Sequence, residues 1–156
     1  VIAHGAVVLG LAGALACSRV PTPPHLAGLH RTAVVTGARA ERLATWMHPA
    51  TVAPLSTTIA DYGRRGELRL YLSTFPNQES AFRAFDAMIQ GIRAGDTAFR
   101  VLREDPALPG RWVTYGPGGH HMIWVSRRQL FWLQGDPETV ERAAAELPAP
   151  LIGSWT

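Results

Sequence analysis

Residues Arg111 to Gly135 read RWVTYGPGGHHMIWVSRRQLFWLQG and hold three of the five tryptophans and two of the six histidines. Aromatic and β-branched residues alternate here with turn-forming clusters, the pattern of short strands. Trp112–Tyr115, His120–Ser126 and Gln129–Gln134 form three strands. Gly116 to Gly119 is the first turn, and lacks the lysine and spacing of a phosphate-binding loop. Arg127-Arg128 is the second turn, although arginine is a poor turn former. An even-length turn there puts Ile123, Val125, Leu130 and Trp132 on one face of the hairpin. Met122, Trp124, Phe131 and Leu133 then share the other. Half-buried antiparallel strands normally alternate apolar with polar, so a hairpin apolar on both faces needs cover on both. Helices on one face, with the N-terminal helix or other segments on the second, meet that need. Alternatively, one face stays partly open as a ligand or partner surface of His120, Met122, Trp124, Phe131 and Leu133.

Upstream, the same rules give a consistent order. Leu29–Thr36 is a first strand, and residues 38–47 a helix with Ala40, Leu43, Ala44 and Met47 on its apolar face, stopped at Pro49. Residues 53–62 form a second strand. Glu67–Phe75 alternates, with Leu68, Leu70 and Leu72 opposite Arg69, Tyr71 and Ser73, and pairs with it across the Gly63–Gly66 turn. Asn77–Arg93 is the clearest helix. Asn77 caps it, Glu79 sits in its first turn and Gly95 stops it, while Ala81, Phe82, Phe85, Met88, Ile89 and Ile92 line one side. Phe99–Arg103 is a short strand. After the hairpin, Asp136-Pro137-Glu138 opens a last helix whose apolar side is Val140, Ala143, Ala144 and Leu147. The fold class is therefore α+β: a mostly antiparallel sheet with two or three helices packed on it. The single domain spans residues 29–150, with a loose tail over 151–156.

Composition narrows the functional classes. All 15 basic residues are arginine, spread along the chain, and the net charge is +3. No basic stripe marks a nucleic-acid partner. A single cysteine excludes an internal disulfide framework and multi-cysteine metal sites. Its position is informative. Residues Val1–Ser18 carry no charged side chain, and Ala6–Ala16 is an apolar run short of the roughly 20 residues that span a bilayer. It suits the apolar part of a secretory signal peptide. The run ends Ala14-Leu15-Ala16-Cys17, which resembles a bacterial lipobox, whose cysteine is lipidated and becomes the mature N-terminus. That resemblance implies that residues 1–17 are the leader, with Cys17 as the membrane anchor; the alternatives are a conventional signal peptide, cleaved or uncleaved, and a buried N-terminal helix with a chance cysteine. Residues 18–28, with Pro21, Pro23 and Pro24, read as an extended tether.

No catalytic array stands out. Ser56, Ser73, Ser80 and Ser126 sit in no nucleophile motif. Glu104-Asp105 and Glu138/Glu141 read as surface carboxylates. His120 and His121 are strand neighbours and point to opposite faces, a poor arrangement for chelating one ion. No cofactor or metal is assigned.

Together, the runs LRLYL (68–72), NQESAFRAF (77–85), HMIWV (121–125), LFWL (130–133) and DPETV (136–140) resemble uncharacterised secreted proteins and lipoproteins of bacteria, over about half the chain. The resemblance implies export and an α+β fold, and no activity. The expected function is that of an exported, membrane-anchored lipoprotein of the cell envelope, non-enzymatic, binding a partner protein or small ligand. Alternatives are an exported metal- or haem-binding domain using His120 and Met122, and a hydrolase with an unrecognised site.

Overall fold

The structure, a computed structural model, describes residues 22–45 and 53–150. The leader with Cys17, the start of the tether, Met47, His48, the helix stop at Pro49 and the tail over 151–156 lie outside the described residues. Within them the chain is α+β: one antiparallel sheet of eight strands with three helices.

β1 (His25–Leu26) and β2 (Leu29–Thr36) are joined by Ala27-Gly28, both at positive φ, 52° and 76°. This is the backbone twist that two-residue hairpin turns require. α1 (Gly37–Ala44) follows, then the β3 (Ser56–Tyr62) and β4 (Leu68–Thr74) hairpin. α2 (Gln78–Ala94) starts where the Asn77 side chain accepts from Ser80 N at 2.8 Å and ends at Gly95, φ 79°. Asn77 satisfies one of the free first-turn N–H groups, and glycine enters the left-handed region without steric cost. β5 (Arg100–Glu104), β6 (Trp112–Gly116), β7 (Gly119–Ser126) and β8 (Gln129–Gly135) then run as a meander. α3 (Pro137–Glu146) closes the described chain, its Asp136 cap accepting from Thr139 N at 3.0 Å.

The sheet order is β1-β2-β3-β4-β8-β7-β6-β5. Two four-strand meanders therefore meet at a seam where β4 pairs with β8, from Leu68↔Gly135 to Thr74↔Gln129. α2 carries the chain from the seam to the far edge.

Both faces of the sheet are covered, as the doubly apolar hairpin requires. On one face α3 lays Val140, Ala143 and Ala144 over Leu70, Met122, Trp124 and Phe131. On the other, Ala81, Ala84 and Met88 of α2 and Ala40 and Ala44 of α1 share a core with Ile59, Ile123, Val125 and Trp132. The expected alternation holds: Leu68, Leu70 and Leu72 join the first core and Tyr71 the second. Leu43 departs from expectation, since α1 turns it 48% exposed to solvent. Phe82 and Phe85 are only partly buried, at the flank of the core.

The tether reading needs correction over residues 22–28, which belong to the domain. Leu26 is 1% exposed within the α3-side core. Pro23 O accepts from the Tyr62 hydroxyl at 3.0 Å, and Pro24 O from Arg31 N at 2.9 Å. Arg31 Nη1 donates to Thr22 O and, at 3.0 Å, to Thr22 Oγ1. Prolines lack an N–H but keep a full carbonyl acceptor, so a proline-rich strap can close a sheet edge. Burial beneath it pushes the Tyr62 phenol up to about 12.

Candidate functional site

The proposed apolar surface is brought together as expected and then buried. Met122 faces Leu133 and Trp124 faces Phe131 across the β7–β8 ladder, the two rings stacked at 5.0 Å with planes 7° apart. His120, Met122, Trp124, Phe131 and Leu133 are all buried beneath α3. Trp124 Nε1 donates to Pro148 O at 2.9 Å, past the end of α3. The Arg111 guanidinium lies 5.1 Å over the Trp124 ring and donates to Ala144 O at 2.8 Å. An open surface is thus replaced by a packed one, because a helix whose own apolar side needs cover lies directly on it.

The two histidines diverge to opposite faces, as strand geometry demands. Toward α3, His120 is 4% exposed, edge-on to Tyr115 at 5.1 Å, and neither ring nitrogen has a hydrogen-bond partner among the described residues. Burial lowers its pKa, partly opposed by the Glu141 and Asp105 carboxylates. His120 and Met122 share this face, but the described residues contain no group of three His, Cys, Asp or Glu placed to hold a metal ion.

On the opposite face, His121 accepts from Trp132 Nε1 at its Nδ1, 2.8 Å, and its Nε2 lies 3.0 Å from Pro117 O. An indole N–H only donates and a carbonyl only accepts, so His121 is neutral with its proton on Nε2. Burial pushes its pKa down to about 4.

The register places His121 in a polar row that no single strand reveals. Asp61 pairs with Arg69, Arg69 with Gln134, Gln134 with His121, and His121 with Thr114. Directly opposed residues in adjacent strands point to the same side, so five polar side chains cross five strands on one face. Their connections are fixed. Asp61 Oδ1 and Oδ2 accept from Arg69 Nε and Nη2 at 2.5 and 3.1 Å. The Tyr71 hydroxyl donates to Gln134 Oε1 at 3.2 Å, and Thr114 Oγ1 to Arg100 O at 2.8 Å.

The row surfaces where the Gly63–Gly66 turn, the Pro117-Gly118 turn and the end of α2 meet. Two adjoining concavities of about 490 and 480 Å³ share Arg69, Gly118 and Gln134 as walls. Glu67 and Asp136 border the first, and Tyr71, Thr97 and Phe99 the second. Gly118, at φ 86°, leaves the room: a Cβ there would lie 1.7 Å from Gln134 Nε2. The ion pair with Asp61 raises the Arg69 pKa further, so its charge is permanent. This groove presents a guanidinium, a primary amide and a phenol in fixed positions. None of these residues stands out in the sequence: Arg69 and Tyr71 read only as the face opposite Leu68, Leu70 and Leu72, and Gly118 as part of a turn. The one available signal was Gln134, a polar residue closing an otherwise apolar strand.

The chain matches no family model, no curated protein and no solved structure.

Proposed function

We propose that this chain is an exported, lipid-anchored bacterial envelope protein whose domain binds a small polar ligand in the Arg69–Gln134 groove without transforming it. The anchor rests on the apolar leader ending in Ala14-Leu15-Ala16-Cys17. The observation that carries the binding reading is the five-strand polar row opening at Gly118. Its groups are held in place, Arg69 by Asp61, Gln134 by Tyr71 and His121 by Trp132, so little ordering cost falls on binding. They are also poorly suited to proton transfer: His121, the histidine of the row, is neutral and hydrogen-bonded through both nitrogens. The walls set the Arg65 and Arg69 guanidiniums and the Gln134 amide beside the Glu67, Asp96 and Asp136 carboxylates, a mixed lining that favours small zwitterionic ligands such as dipeptides. No helix of the described residues is long and apolar enough to cross a membrane.

Two measurements test this. Mass spectrometry of the N-terminal peptide should find Cys17 acylated, and an unmodified thiol sinks the anchor. Titration with a panel of carboxylates and dipeptides, followed by amide NMR, should shift Arg69, Tyr71, Gly118 and Gln134 together and lose the effect in Gln134→Ala. Shifts confined to another surface would refute the groove.

A further inference from the structure

We infer that the β1–β2–α1 edge of the sheet lies against an anionic lipid surface, an orientation that rests on the Cys17 anchor proposed above. Two independent observations support it. The first is chain length. Cys17 and Thr22 are five residues apart, which extended chain spans with at most about 17 Å. Thr22 is already fastened to Arg31, on the edge hairpin. The acylated end therefore cannot travel far from this edge, which lies about 33 Å from β5 across seven strand spacings.

The second is charge. Residues 25–44 and the adjoining turn 63–66 carry five arginines, Arg31, Arg39, Arg42, Arg64 and Arg65, against one carboxylate, Glu41. All five arginines are exposed. The turn is joined to the edge hairpin by Gly63 N donating to His30 O at 2.8 Å. The Glu67 carboxylate also lies at this turn, accepting from Arg65 N at 3.0 Å, and Glu146 reaches the hairpin, accepting from Ala27 N at 3.2 Å, so five arginines against three acids give this region +2 of the chain's +3. Most of the positive excess of the protein thus lies beside its point of attachment. Arginines held near an anionic leaflet are attracted to it within about a Debye length, roughly 10 Å at moderate salt. One acyl-bearing terminus fixes position but not orientation; the arginines supply the orientation.

The test uses the full lipidated chain, purified from membranes in detergent and reconstituted into vesicles. One set is phosphatidylcholine alone, the other phosphatidylcholine with phosphatidylglycerol. Arginine labelling by phenylglyoxal, read by mass spectrometry, reports each side chain. Arg103 on β5, at the opposite edge and exposed, is the internal reference. Labelling of Arg39, Arg64 and Arg65 relative to Arg103 should fall at least about threefold in the phosphatidylglycerol vesicles, and recover in high salt. The Arg64→Ser/Arg65→Ser double variant, altered only in an exposed turn, should lose part of the protection at Arg39. Equal labelling in both vesicle types, with Cys17 acylated in the same digest, overturns this orientation and leaves the anchor standing. An unmodified Cys17 overturns both.

Discussion

Trp132 Nε1 donates to His121 Nδ1 at 2.8 Å, across the β7–β8 ladder and inside the α2-side core. The two residues hold each other's polar atoms away from hydrocarbon. His121 passes the constraint on through Nε2 to Pro117 O, the carbonyl beside Gly118 in the groove.

That arrangement makes stability pH-dependent. The folded pKa of His121 is about 4, below its unfolded value near 6.5. The unfolded chain therefore binds the proton first as pH falls. The His121 contribution is complete above about pH 6.5 and declines toward pH 4, by about 3 kcal/mol in all. The lowered pKa of His120 acts in the same direction. Urea unfolding at pH 7.5 and 4.5 should show the decline, and His121→Gln, which keeps an acceptor and a donor, should flatten it. An unchanged slope in that variant would mean that His121 does not titrate on unfolding.

Trp124 anchors the opposite face through its stack on Phe131, its bond to Pro148 O and the Arg111 guanidinium above it. Trp124→Ala should cost about 3–5 kcal/mol, the range for emptying a large aromatic site. Trp124→Phe, which keeps the stack but drops the N–H, should cost about 1–2 kcal/mol. Equilibrium denaturation distinguishes the two. Equal losses would show that the indole N–H contributes nothing.

Leu26→Ala should destabilise the domain by about 2–4 kcal/mol, since Leu26 is fully enclosed beside α3. A free spacer would tolerate the change with no shift in denaturation midpoint.

Arg127 turns the β7–β8 hairpin at φ 54°, a conformation glycine adopts more easily. Arg127→Gly should raise stability by about 1 kcal/mol. A rise in Tm of a few degrees is the expected reading, and a fall would show that the arginine side chain contributes more than the backbone strain removes.

Elements were legible wherever local chemistry decides them. The Asn77 and Asp136 caps, the Leu68–Leu70–Leu72 alternation and the Arg127-Arg128 turn each lie within a few residues of what they determine, and the structure places the strands and helices within a few residues of expectation. The seam between β4 and β8 was not legible, because pairing partners so distant leave no periodicity behind. Nor was the identity of the cover over Trp124: the hairpin announced that a cover existed, but not that α3 would supply it. The polar row needs five registers known together, and each of its residues looks ordinary alone. The strap misled for a different reason. Pro23 and Pro24 resemble a spacer when only their missing N–H is considered, and a sheet edge when their carbonyls are.

The placement of β8 beside β4 also governs how the polypeptide can be handled before it is finished. Until the final strand arrives, the earlier meander has a raw margin where its neighbour belongs, and neither half owns a complete interior. The two meanders share their cores across this seam, so each interior is complete only where β8 pairs with β4.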